Sequence, residues 1–491
     1  MKKYCIFFIL IFALKSTIYG QNVQYYNEKF RPQYHFSPEK NYLGAPCGLV
    51  AYDGEYHLFY QHNPRSNEPE YFHWGHAVSN DLLHWEHKPV AIVPDNQSED
   101  KEFCTAGPGS IIVDHNNTLG VQSGNNKTFV AFYTSYQCGQ RIAYSNDKGT
   151  TWKKYDKNPI ISEDDTKDAI GPKVFWYEPG QFWVMLLTRN LDNDERKKGF
   201  SIYTSANLTD WNYESHVAGF KGSADLIEVK VNNRSDDKRW VLISGNGDYM
   251  LGAFDGKTFL AETIRMKCDF GDNYDSPQTF VNIPESDGRI IQIACMSDAD
   301  FKDMPFSGLM TFPSQLSLKK INSGTFLIRQ PIDEIERLYE KTHSWENKKL
   351  IPGINFNLLK SVKGDCLRIK GQFDLMNCEA FGFVLRLYKK TSGVELTYNV
   401  KRQVLSIFGQ SVPLEPVDNK ISLDILIDRA SIEVYANNGR AVMTNSYMPD
   451  DYGLDYFLYN TGGEINVDKL EITGLNTVWR EAEGKKKSKK K

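Results

Sequence analysis

Asp53-Gly54-Glu55-Tyr56-His57-Leu58-Phe59-Tyr60 reads as a turn that feeds a strand. The Asp-Gly pair supplies a tight reversal, and the run behind it is aromatic and apolar. The same phrase returns four times. It stands at 127–133 (Lys-Thr-Phe-Val-Ala-Phe-Tyr), 180–187 (Gly-Gln-Phe-Trp-Val-Met-Leu-Leu), 237–243 (Asp-Lys-Arg-Trp-Val-Leu-Ile) and 287–293 (Asp-Gly-Arg-Ile-Ile-Gln-Ile). A second phrase follows the first three copies: a Ser, a polar turn, then a Trp. It runs from Ser79 to Trp85, Ser145 to Trp152 and Ser205 to Trp211. Each pairing fits an inner apolar strand followed by an outer strand closed by Trp. The spacing of roughly 50–75 residues is near that of a propeller blade, a four-stranded sheet. Five copies predict five blades, with polar residues of the innermost strands gathered around one end of a central channel.

After about residue 335 the phrase stops. Asp333-Glu334-Ile335-Glu336-Arg337-Leu338-Tyr339 is charged and helical in pattern. Beyond it come short runs with period-2 alternation, such as Phe381-Gly382-Phe383-Val384-Leu385-Arg386-Leu387 and Ile421-Ser422-Leu423-Asp424-Ile425-Leu426-Ile427. Such runs argue for a β-sandwich. The expected fold is all-β: a five-bladed β-propeller over 21–335, a linker over 336–345 and a β-sandwich over 346–478. A charged tail, 479–491, closes the chain.

The N-terminus reads as an export signal over 1–20, with a basic start at Lys2-Lys3 and an apolar stretch from Tyr4 to Leu14. That stretch is shorter than the ~20 residues a spanning helix needs. The expected destination is the periplasm or the medium, with no membrane attachment after cleavage. Seven cysteines remain beyond Cys5, an odd number, so at least one is a free thiol or pairs between chains. A formal charge of −4 gives no reason to expect nucleic acid. No cofactor or metal is expected, because Asp164-Asp165 and Asp298-Ala299-Asp300 lack a Gly-turned liganding loop. The oligomeric state is open.

Several stretches resemble glycoside hydrolase family 32, the invertases, levanases and inulinases. They are Leu58-Phe59-Tyr60-Gln61-His62-Asn63-Pro64, His73-Trp74-Gly75-His76-Ala77-Val78-Ser79, Pro172-Lys173-Val174-Phe175-Trp176, Gln278-Thr279-Phe280 and Ser431-Ile432-Glu433-Val434-Tyr435. The resemblance runs from about 30 to 475. It implies the same propeller and sandwich, and fructan as the default carbohydrate. It also implies two carboxylates flanking the sugar bond, one a nucleophile and one an acid/base, with a third that holds hydroxyls. Here the sequence departs. The nucleophile of Trp-Met-Asn-Asp-Pro falls on Ala45, within Tyr42-Leu43-Gly44-Ala45-Pro46. The stabilising Asp of Arg-Asp-Pro falls on Gly171, and the acid/base Glu before Asp-Leu falls on Gly222. The family's Phe-Ser-Gly-Ser reads Gly107-Pro108-Gly109-Ser110, without its Phe. Ala and Gly neither attack nor donate a proton.

The expected function is therefore an exported pseudoenzyme that binds fructan or another carbohydrate. Gln61, Trp74, Ser110 and Asp225 are its candidate contacts. Each has a plain alternative, such as packing for Trp74 or satisfying buried backbone donors for Asp225. A second expectation is an active glycosidase with rebuilt chemistry. Cys47 would be its nucleophile, Cys104, Cys268 and Cys295 lie close in sequence to pocket segments, and Asp275, Asp168 and Glu39 are nearby carboxylates. A third is a protein–protein scaffold.

Overall fold

The computed structural model describes residues 26–479, except 96–103, 163–168, 192–193, 298–300, 322–323, 354–356, 390–391 and 450–452. The export signal, the lysine-rich tail, Asp164-Asp165, Asp168 and Asp298-Ala299-Asp300 lie outside the described residues. Five sheets follow one another along the chain, antiparallel except where Phe306–Ser307 pairs in parallel with the first strand of the first sheet. Their innermost strands are Asn41–Tyr52, Ala106–Asp114, Ile170–Tyr177, Ala224–Lys230 and Tyr274–Thr279. These lie side by side in a ring, which closes where Asn41–Tyr52 meets Tyr274–Thr279. Backbone bonds from Val281 N–H to the Leu49 carbonyl (2.9 Å) and from Ala51 N–H to the Val281 carbonyl (3.0 Å) fasten that seam. This is a five-bladed propeller.

The repeated apolar phrase falls on the second strand of every blade, one strand further out than the channel. Those strands are Glu55–Asn63, Thr128–Ser135, Phe182–Asn190, Lys238–Ser244 and Ile290–Met296. The reason is burial on two faces. A second strand is covered by the blades on either side, so it carries an almost unbroken apolar run. Thr128–Ser135 is buried at every residue. The Ser-to-Trp phrase is the turn joining third and fourth strands in blades I to III. Its indole N–H donates three residues back, from Trp85 to the Leu82 carbonyl (3.2 Å), Trp152 to Gly149 (3.0 Å) and Trp211 to Leu208 (3.0 Å). The accepting residue sits at positive φ each time.

A 3-10 helix, Asp333–Leu338, follows the fifth blade and buries Ile335 and Leu338. The chain then forms a six-stranded and a five-stranded sheet, both antiparallel. Phe373, Phe381, Phe383, Ile425 and Val434 fill the space between them. This is the β-sandwich, and its six-stranded sheet packs on the propeller through Leu426, Tyr435 and Val442 against Phe36 and Phe312.

Buried charges pin that junction. His35, ahead of blade I, is bonded by Asp428 (2.8 Å) through Nδ1 and Glu433 (2.7 Å) through Nε2. Arg329, of the last propeller strand, pairs with Asp269 at 2.9 Å and lies 4.2 Å over the Tyr274 ring. All of these side chains are buried. Burial works against the His35 imidazolium, but its two carboxylate partners outweigh it and raise the pKa to about 9. Burial likewise pushes Asp428 and Glu433 up, and their bonds to His35 lead in holding them below the ordinary carboxylate range.

The signs follow. Stabilisation from His35 is complete below its unfolded value of about 6.5 and is lost as pH rises through its raised folded value. That from the two carboxylates is present above about 4 and is lost as pH falls through their lowered values. The melting temperature of the protein should therefore decline between pH 7 and pH 10. A His35→Gln variant should start lower and lack that decline. Parallel melting curves for the two proteins would show that this junction does not titrate.

Candidate functional site

Several of the residues singled out in the sequence lie on or beside the first two strands of the blades. Ala45 and Cys47 lie on Asn41–Tyr52, Gln61 on the second strand of blade I, and Ser110 on Ala106–Asp114. Gly171 stands near the start of Ile170–Tyr177, and Gly222 just before Ala224–Lys230. Asp275 and Cys295 face each other across the first two strands of blade V.

Most of the polar groups here bond from one blade to the next. Trp74 Nε1 donates to the Gly107 carbonyl at 2.8 Å, joining blades I and II. Ser110 Oγ donates to the Pro172 carbonyl (2.7 Å) and accepts from Val174 N–H (3.0 Å), joining II and III. Lys173 Nζ pairs with Asp225 at 2.9 Å, joining III and IV, with both side chains buried. The other Asp225 oxygen accepts from Thr279 N–H at 2.7 Å, joining IV and V. Gln278 Nε2 reaches across to the Gly109 carbonyl at 2.8 Å. Lys173 and Gln278 were not read as site residues. A Lys embedded in an apolar strand was the available signal for the first.

Ala45, Gly171 and Gly222, where the resemblance leads one to expect carboxylates, carry no ionisable group. Ala45 is buried among apolar neighbours. Gly171 and Gly222 both adopt left-handed backbone, at φ +67 and +71. A Cβ on Gly222 would stand 3.0 Å from Gly245 Cα, and one on Gly171 would stand 3.1 Å from Ser223 Oγ. The Gly222 carbonyl is held by Thr188 Oγ1 at 2.5 Å.

Cys47 is fully buried, and its thiol points to the Ala45 carbonyl at 3.4 Å. Burial pushes it well above the ordinary thiol range, which keeps it protonated. Cys295 is raised in the same way by burial and by the Asp275 carboxylate, 3.9 Å from its sulfur. Cys268 is buried beside Tyr274. Cys104 is bonded to Cys138, and Cys47, Cys268, Cys295, Cys366 and Cys378 are free. Glu39 is exposed. No group of three or more His, Cys, Asp and Glu that could hold a metal occurs among the described residues. No helix among them is long and apolar enough to cross a membrane.

A five-bladed propeller carrying a β-sandwich, with its site on the propeller axis, is the architecture of a class of glycoside hydrolases. The crystal structure of exo-inulinase from Aspergillus awamori matches with a TM-score of 0.83 at 26% identity, covering 92% of this chain and 100% of that one. The chain belongs to glycosyl hydrolases family 32, whose N-terminal domain matches residues 35–331 and whose C-terminal domain matches 334–474. A levanase of Bacillus subtilis (strain 168) is 35% identical over 96% of this chain and 74% of its own length. The extracellular exo-inulinase of Aspergillus awamori is 29% identical over 96% of this chain and 98% of its own.

Two stability outcomes follow from the axial geometry. Asp225→Ala leaves Lys173 buried without its partner and should cost about 3–5 kcal/mol in urea unfolding. Gly222→Ala, which adds only a Cβ at left-handed backbone, should cost about 1–3 kcal/mol. Unchanged unfolding midpoints would remove the stitching role from the first residue and the backbone constraint from the second.

Proposed function

We propose that this protein is exported and that its axial site binds a β-fructan chain without cleaving it by double displacement. The observation that carries this reading is the chemistry at Ala45, Gly171 and Gly222. Retaining hydrolysis needs two carboxyl groups about 5–5.5 Å apart, one to attack and one to give and take the proton. Apolar methyl and hydrogen stand at those places, while the blades that would carry the carboxylates are intact. Fructan is chosen because the similar proteins are named as levanase and exo-inulinase over nearly the whole of this chain. Export is favoured by the basic and apolar pattern of residues 1–20 and by the extracellular naming of one relative.

A second reading is hydrolysis of β-fructosyl bonds by a rebuilt site. The same similarity favours it, since 35% identity extends across 96% of the chain. A carboxylate is present on the axial face at Asp275, which accepts from Ser276 Oγ at 3.2 Å. Cys47 is a poor choice of nucleophile under this reading, because a buried neutral thiol attacks slowly.

The two readings part in one assay. Purified protein is incubated with sucrose, levan and inulin beside Cys47→Ala and Asp275→Asn variants, and reducing sugar is followed over time. Binding is followed separately by retardation in native gels containing levan or inulin. Retardation without sugar release is the expected result. Release that disappears in Asp275→Asn would overturn it in favour of hydrolysis. Neither release nor retardation would overturn both.

A further inference from the structure

Tyr136 stands at the turn between the second and third strands of blade II and is half-buried. Three contacts fix it. Its carbonyl accepts from Cys104 N–H at 2.8 Å. Two residues on, Cys138 is bonded to Cys104, with their Cα atoms 5.4 Å apart. The Tyr136 ring lies against Gly107, where a Cβ would stand 2.7 Å from ring carbon Cε2 and 3.0 Å from the Thr134 carbonyl. Gly107 is the position where the family resemblance places a Phe. The aromatic side chain absent from the strand is thus matched by one that arrives from the neighbouring turn. Burial and the nearby Cys47 raise the Tyr136 hydroxyl to about 12, so it is an uncharged phenol.

The ring does not stand alone. Phe72 lies 6.3 Å from it, tilted by 47°, and Tyr42 lies 6.0 Å beyond Phe72 at 48°. All three are half-buried, so each presents part of a ring at the surface. Together they make an apolar strip across blades I and II, beside the buried Ala45 and Cys47. Aromatic rings offer large contact area at low entropic cost, and their polar tips can still hydrogen-bond. Sugar rings, with apolar C–H faces and hydroxyl edges, are the chemistry such a strip suits.

We propose that Tyr136, held by the Cys104–Cys138 disulfide and by its packing on Gly107, is the principal sugar-stacking residue of this site, with Phe72 continuing the platform. The inference rests on the fructan-binding reading above and names the contact that delivers it. No covalent step is involved. The disulfide acts by holding the turn, so that the ring is in place before the sugar arrives.

The test is isothermal titration with levan- and inulin-derived fructo-oligosaccharides. The proteins are wild type, Tyr136→Ala, Tyr136→Phe and Cys104→Ser/Cys138→Ser, each checked by its melting curve. Tyr136→Ala should weaken binding at least about tenfold, as for removal of an aromatic anchor. Tyr136→Phe keeps the ring and should stay within about threefold of wild type, since it loses only the hydroxyl. The double Ser variant should fall between the two at temperatures well below its melting point. Wild-type binding that survives Tyr136→Ala unchanged would overturn this inference and leave the function reading in place. Equal losses in Tyr136→Ala and Tyr136→Phe would also overturn it, because stacking would not be the source. Wild-type protein that binds no fructo-oligosaccharide would overturn both.

Discussion

A propeller of five sheets has no covalent reason to close, so its geometry depends on what joins each innermost strand to the next. In this protein the joints are polar and buried. Trp74 reaches the Gly107 carbonyl, Ser110 bridges two backbone groups of the next blade, and Lys173 meets Asp225. Asp225 then takes the Thr279 amide. Each bond is directional, and each is buried where an unmade partner would be costly. The ring therefore sets the angle between blades as well as their adhesion. It also explains how the axial ends of the blades are held in place. The polar residues kept there have partners within the protein.

The junction with the sandwich works on the same principle with full charges. His35, Asp428, Glu433, Arg329 and Asp269 are enclosed between the two halves. Their pairing fixes one mutual orientation, since sliding the sheet would strand a charge in an apolar setting. Tyr274, under Arg329, precedes Asp275 in the same axial strand. The junction and the site floor are therefore parts of one rigid body of packing.

Much of this was legible in the sequence, for a physical reason. A strand covered on two faces must be apolar along its length, so the phrases at 53–60 and 180–187 stood out and their number gave the blade count. The same fact placed them one strand too close to the axis, because innermost strands are shorter on apolar residues and carry little periodic signal. Ser110 and Asp225 were legible as buried polar residues, but not their bonds, since a partner on another blade is more than fifty residues away. Tyr136 was silent. Its position depends on which of seven cysteines pair, and spacing does not encode that. The backbone of Gly171 and Gly222 was silent too, because a glycine letter says what φ is allowed and not which φ is used.

Those two glycines bear on how the fold would answer a larger group. In a left-handed stretch, an added side chain meets backbone strain before it meets a ligand. A carboxylate introduced at Gly222 would carry that strain, as Leu82 and Leu208 carry theirs at left-handed backbone elsewhere in the chain. The two turns are fitted to hydrogen atoms, so a larger group placed at either one would draw on the stability of the blades that meet there.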